Sequence, residues 1–294
     1  LTDPTYPAEL LGDGPEVLEK LLDGSDAFAE TLKTAKRPMI IIGHGALTRP
    51  DASAIYDAGK KLAVQTGAIA EGWSGLNVLH TAASRVGALD LGFLPGTRGR
   101  NASGMLRGGV DVLWLLGADE FPIDKIGADT FVVYQGHHGD AAAARADIIL
   151  PGAAYTEKPG TYVNTEGRVQ RSFRAVFPPG EAREDWRILR AFSEVIGKTL
   201  PYDTLDALRD RMAEVNPVFR QIGSVAQPSA LIEKQGVPAS SVPATSAAQE
   251  EGLAASAFRP VMQDYYQTNP ISRASPTMAD CSRVYGPVRA VAAE

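Results

Sequence analysis

The sequence predicts an α/β fold built on a parallel sheet, and three observations carry that expectation. Continuous apolar runs recur along the chain, they end in glycine or proline, and helical patterns separate them. The runs are Pro38-Met-Ile-Ile-Ile-Gly43, Val110-Asp-Val-Leu-Trp-Leu-Leu-Gly117, Thr130-Phe-Val-Val-Tyr134 and Ile148-Ile-Leu-Pro151. Such runs read as strands buried on both faces, and their alternation with helices gives a Rossmann-like sheet. The 294 residues suffice for one large domain or two small ones.

A helical lead-in over 1–36 comes first. Gly14-Pro15 opens one helix, with Val17, Leu18, Leu21 and Leu22 on a shared face, and Asp23-Gly24 stops it. Ser25 reads as the N-cap of a second helix through Phe28 and Leu32. An α/β domain is expected over 37–222. Asp51 opens a helix through Ile55, Ala58 and Leu62, and Asp140 to Ala146 fits a short crossover helix. Thr161 to Phe173 reads as a small β-hairpin around a glycine turn. Amphipathic helices follow at Glu184 to Ile196 and Pro201 to Val215, the second with Asp203 as N-cap. Ser, Ala, Gln, Pro and Gly dominate 223–257, the composition of a flexible linker. Phe258 to Glu294 regains large side chains and reads as an extended docking tail.

Composition excludes several classes. With 29 Lys+Arg against 35 Asp+Glu, the chain lacks the basic stripe of a nucleic-acid binder. No apolar run approaches the roughly 18 residues of a membrane helix. One cysteine, Cys281, excludes an internal disulfide, a multi-Cys zinc site and a self-contained iron–sulfur cluster. The chain begins at Leu1 without a charged-then-apolar leader, which reads as a processed or truncated product.

Individual motifs carry little chemistry. Gly43-His44-Gly45 sits where a phosphate turn would, but position 48 is Thr48 rather than a third glycine. Glu71 stands at a distance that suits a ribose hydroxyl, yet a plain strand-to-helix turn is the better reading. His137, His138 and Asp140 could ligate a metal, although neighbours on an extended segment point to opposite sides. They, with the isolated His44 and His80, read as structural histidines. Cys281 lies in a Ser/Pro/Thr-rich tail, a poor place for a reactive thiolate. Glu157, Glu166, Glu184 and Asp185 read as turn and helix-start acids. No catalytic, cofactor-binding or metal residue emerges.

Ala146-Asp-Ile-Ile-Leu-Pro-Gly-Ala-Ala-Tyr-Thr-Glu-Lys158 and Gly160-Thr-Tyr-Val-Asn-Thr-Glu-Gly-Arg-Val-Gln170 resemble the signature of molybdopterin oxidoreductases. Val110 to Asp119 and Gly72 to His80 resemble segments of the same superfamily. Tyr134-Gln-Gly-His-His-Gly-Asp140, Ala182 to Trp186, Thr199 to Leu205 and Asp264 to Ser275 are similar to a narrower group. That group is the C-terminal half of the large iron–sulfur subunit of proton-translocating NADH:quinone oxidoreductase, respiratory complex I. The resemblance runs from about Lys36 to Val284.

The resemblance implies a molybdopterin-oxidoreductase-like scaffold without a working pterin site. The family's [2Fe-2S] and [4Fe-4S] clusters sit on N-terminal cysteines absent here, so no cofactor is expected in this segment. The implied role is structural, within an assembly passing electrons from NADH to quinone coupled to proton translocation. Implied partners are other peripheral-arm subunits and the cluster-bearing N-terminal half. Implied location is peripheral, on the cytoplasmic face of a bacterial inner membrane or the matrix face of the mitochondrial one. A fragment of a catalytic, formate dehydrogenase-like molybdopterin enzyme is the alternative. In the tail, Tyr265, Tyr266, Ile271 and Arg273 are the candidate partner-binding residues, against the equal reading of a tail folded on its own domain.

Overall fold

The computed structural model describes residues 6–225, 253, 254, 256–259, 262 and 264–286. The chain divides into two compact units. One comprises Leu1–Gly87, Val163–Gln170 and Gln221–Val261; the other comprises Ala88–Tyr162, Arg171–Arg220 and Met262–Glu294.

In the first unit, Pro15 opens helix α1 (Glu16–Asp23), and Gly24 ends it in the left-handed region at φ 80°. Helix α2 (Phe28–Thr34) follows. Its Phe28 N–H is accepted by Asp26 at 2.8 Å, so Asp26 rather than Ser25 satisfies the helix start. Leu21, Ala29 and Leu62 form a small core, with Val17, Leu18, Leu22, Leu32 and Ile40 packed around it.

Strand β1 (Ile40–Gly43) leads through a short 3₁₀ turn (His44–Thr48) to helix α3 (Ala52–Gln65). Strands β2 (Ile69–Ala70) and β3 (Trp73–Ser74) make a two-residue ladder around Glu71 and Gly72. Strand β4 (Leu76–Leu79) then pairs parallel with β1, from Ile40 opposite Leu76 to Gly43 opposite Leu79. The expectation of burial on both faces fails for β1: Ile42 is 7% exposed but Ile41 is 52% exposed. The helix covers the Ile42 side, and a Cβ on Gly59 of α3 would fall 2.8 Å from Ile42 Cδ1. Glycine permits that approach.

Helices α4 (Arg85–Asp90) and α5 (Ala102–Leu106) precede the main sheet. Strands β5 (Val112–Leu116), β6 (Phe131–Gly136) and β7 (Ile148–Pro151) run parallel in that order, with helix α6 (Ala141–Arg145) crossing between the last two. Leu113, Leu115, Val132 and Tyr134 point to one face and bury together with Ile126 and Ala142. On the opposite face Trp114 meets Phe192 of helix α7 (Asp185–Val195) edge-on at 4.8 Å. The middle of this sheet is covered on both sides, whereas its ends, Val112 and Leu116, are exposed.

Strands β8 (Gly160–Val163) and β9 (Val169–Ser172) form the expected hairpin, turning at Gly167 with φ 85°. Helix α8 (Leu205–Val215) is capped by Thr204, one residue later than expected, because its hydroxyl accepts the Ala207 N–H at 3.1 Å. The α/β domain expected over 37–222 is shared between the two units. The reason lies in the pairing: β1 and β4 form one ladder, β5 to β7 another, and no ladder joins them among the described residues.

The linker expected over 223–257 falls largely outside the described residues. Part of it is docked in the first unit: Asp51 Oδ2 accepts the Ala254 N–H at 3.0 Å, and Arg49 donates to Ser256 and Ala257. The tail over 264–286 is helical rather than extended, with α9 (Pro270–Arg273) and α10 (Pro276–Tyr285). Asn269 and Ser275 accept N–H groups of the first turns, and proline follows each, where its missing N–H costs nothing.

The second unit's core gives a direct test. Leu115→Ala should cost about 2–5 kcal/mol in urea unfolding, while Ile41→Ala on the open side of β1 should stay within about 1 kcal/mol. Equal losses would contradict this assignment of covered and open faces.

Candidate functional site at the carboxyl ends of the parallel strands

Parallel strands finish on one edge, so residues just beyond them gather there however far apart in sequence. In the second unit the edge receives Asp119 after β5, His137 to Asp140 after β6, and Gly152 after β7. The Asp119 side chain is 0% exposed. Arg273 of α9 answers it: Nη2 donates to Asp119 Oδ1 at 2.9 Å, while Nε donates to Asp140 Oδ2. Asp140 also caps α6, its Oδ1 accepting the Ala141 N–H at 2.8 Å. The bond from Arg273 holds the Asp140 carboxyl below its ordinary value, against a smaller opposing effect of burial. Tyr134 lies beneath, its O–H donating to the His138 carbonyl at 3.1 Å. Burial, and then the charges of Asp119 and Asp140, push its phenol up.

The segment bearing Arg273 braces itself. Asp264 accepts the Tyr266 N–H at 2.9 Å and the Ser282 hydroxyl, which fastens the short turn to α10. Tyr266 packs against Tyr265 and Tyr285 with ring centroids 5.6 and 6.4 Å apart. Tyr265 is 74% exposed, and Ile271 is exposed as well. Of the four tail residues singled out in the sequence, Arg273 therefore turns inward, Tyr266 is half-buried, and two face outward.

A second network lies deeper on the α7 side of the sheet. Gln135 is wholly buried. Its Oε1 accepts Trp114 Nε1–H at 3.2 Å, and its Nε2 donates to Asp185 Oδ1 at 2.9 Å. Lys158 pairs with the other Asp185 oxygen. A Cβ on Gly152 would stand 3.0 Å from Asp185 Oδ1, so glycine leaves room for the carboxylate. Asp185 thus ties the glutamine, the lysine and the start of α7 together, beyond the helix-start role that its sequence position suggests. Glu157, Glu166 and Glu184 do stay local, bonding Ala154 N–H, Arg168 and Trp186 Nε1–H.

An extended segment would send His137 and His138 to opposite sides. Instead their Nδ1 atoms are 2.7 Å apart, so one must carry the proton that the other accepts. The turn out of β6 is no longer extended at this point, which lets adjacent side chains converge. Burial, and then His138 and Lys158, push the His137 pKa down. No group of three or more His, Cys, Asp or Glu among the described residues is placed to hold a metal. Cys281 sits half-buried on α10.

The first unit repeats the edge on a smaller scale. His44 follows β1 and His80 follows β4, bringing their rings to 6.2 Å. The two histidines are isolated in sequence; the unforeseen strand β4 is what pairs them. Arg85 donates to His44 Nε2, which requires an unprotonated acceptor there. Burial first, and then the Arg85 charge, lower the His44 pKa. Glu71 is exposed in the β2–β3 turn. A phosphate at the α3 N-terminus would face Asp51, which is buried and held by Arg49 at 2.8 Å. Gly43-His44-Gly45 is a plain turn.

The molybdopterin oxidoreductase family model matches residues 2–195, and the chain belongs to that family. A second model, for the C-terminal region of the G-type subunit of NADH-ubiquinone oxidoreductase, matches residues 226–281. The chain is 44% identical over 291 residues to the NADH-ubiquinone oxidoreductase 78 kDa subunit, mitochondrial, of Neurospora crassa, covering 95% of this chain and 36% of that protein. It is 41% identical over 283 residues to the NADH-ubiquinone oxidoreductase 75 kDa subunit of Reclinomonas americana, covering 96% and 39%. To the NADH dehydrogenase [ubiquinone] iron-sulfur protein 1, mitochondrial, of Solanum tuberosum it is 40% identical over 280 residues, covering 95% and 36%. The chain therefore spans less than two fifths of the length of these relatives.

Family membership raises the question of a pterin. The edge beyond β5 and β6 does not fit one. Two carboxylates stand there, which repel a phosphate-bearing ligand, and the guanidinium between them is committed to both.

Arg273→Ala should leave Asp119 buried without its cation, cost about 3 kcal/mol, and speed hydrogen exchange across 264–286; unchanged exchange would refute the latch. Asp140 adds an acid limb, because a lowered folded pKa gives stability that is complete above the ordinary carboxylate range and lost as pH falls through the folded value. The lowered His44 value acts around its ordinary 6.5: the unfolded chain binds the proton more readily, so stability in the first unit should fall from pH 7 towards 5. His44→Gln should flatten part of that slope in thermal melts, and an unaltered slope would place its origin elsewhere.

Proposed function

We propose that this chain is the C-terminal, non-redox part of the large iron–sulfur subunit of a proton-translocating NADH:quinone oxidoreductase. Its role there is structural. It supports the cluster-bearing part of the subunit and contacts neighbouring peripheral-arm subunits, while the whole assembly carries electrons from NADH to quinone. Similarity along almost the whole chain to subunits of that enzyme supports this reading.

One structural observation carries it furthest. The segment matching the second family model includes Arg273, whose guanidinium closes the strand-end edge of the unit that holds much of the molybdopterin oxidoreductase match. A catalytic molybdopterin enzyme would need that edge open to a large anionic ligand. Location at a membrane surface accords with the absence, among the described residues, of any helix long and apolar enough to cross a bilayer.

Affinity purification from source cells of the intact protein, tagged at its C-terminus, tests the proposal. The expected result is a multisubunit assembly that oxidises NADH and contains flavin and iron–sulfur clusters. Recovery of a partner-poor protein carrying molybdenum and pterin would overturn it in favour of the oxidoreductase alternative.

A further inference from the structure

In the second unit, the chain leaving β9 stays on the surface with its aromatic side chains in water. Phe173 is 87% exposed, Phe177 is 78% exposed, and Val176 and the neighbouring Tyr155 are exposed as well. Their backbone is placed rather than loose: the Ala175 and Val176 N–H groups both donate to the Thr156 carbonyl, at 2.8 and 3.2 Å. Aromatic side chains bring about 150–250 Å² each, so three of them with a valine reach the size that marks a contact surface.

The charge beside this patch is cationic in a chain of net charge −6. Arg174 stacks on the Phe177 ring, with Cζ 4.1 Å from its centroid. Arg171 lies near Arg209, and burial together with that like charge lowers the Arg209 pKa. Arg209 Nε is buried without a hydrogen-bond partner, and its nearest carboxylate, Asp206, is 3.7 Å away. Among the described residues neither Arg171 nor Arg174 forms an ion pair.

We infer that Phe173, Phe177, Arg171 and Arg174 form a docking surface for an acidic polypeptide of a different subunit, one presenting carboxylates around an apolar contact. The inference rests on the proposed function and names the chemistry of one neighbour. Aromatic and arginine side chains are the residues that dominate the centres of protein interfaces. A second copy of this chain is the poorer occupant, because a two-fold interface would set the arginines against themselves.

A photoreactive phenylalanine analogue at position 173 of the full-length protein, irradiated within the purified NADH-oxidising assembly, tests the surface. Crosslinks should fall in an acidic stretch of another subunit. Arg171→Glu with Arg174→Glu should cut their yield at least about tenfold, and the double lysine variant should retain it. Crosslinks to the same chain, to a second copy, or to nothing in an intact assembly would overturn this surface while leaving the structural role in place. Failure to recover any NADH-oxidising assembly would remove both.

Discussion

A carboxylate shut away from water is tolerable only beside a cation, and Asp119 has one because Arg273 arrives from 154 residues further along the chain. The same guanidinium reaches Asp140, the cap of α6, so one side chain joins the exits of two neighbouring strands. Much of the second unit hangs on this placement. The loop after β5 can bury its acid, the phenol of Tyr134 can sit beneath two carboxylates, and the C-terminal helices gain a fixed attachment.

That attachment bears on how a molybdopterin oxidoreductase scaffold serves a structural purpose. The sheet, the crossover helix and the covering α7 are those of an α/β fold that would take its ligand at the strand ends. Here the chain supplies its own filling. Below it, buried Gln135 links Trp114 to Asp185, and Asp185 holds Lys158, so polar groups that could have served chemistry are satisfied by one another. The arrangement exchanges reactivity for rigidity.

The architecture is legible where side-chain pattern alone decides it. Branched apolar runs mark β1 and β5 to β7, and Asp140 marks α6. Strand β4 is hidden because Leu76 to Leu79 is short and interrupted by Asn77, and without it His44 and His80 look unrelated. The tail helices are announced by Asn269-Pro270 and Ser275-Pro276, a signal masked by the polar composition before them. Arg273 is recognisable as an anchor, but its partners are not: nothing local in a sequence joins position 273 to positions 119 and 140. Long-range charge pairing needs the fold first.

A double-mutant cycle between Arg273 and Asp119 in the intact protein, read by hydrogen exchange across 264–286, addresses the central interaction most directly. The account predicts a coupling of about 2–3 kcal/mol, because each single change strands the other charge or its cavity. Additive effects, with coupling under about 0.5 kcal/mol, would mean that the tail is held by something other than this ion pair.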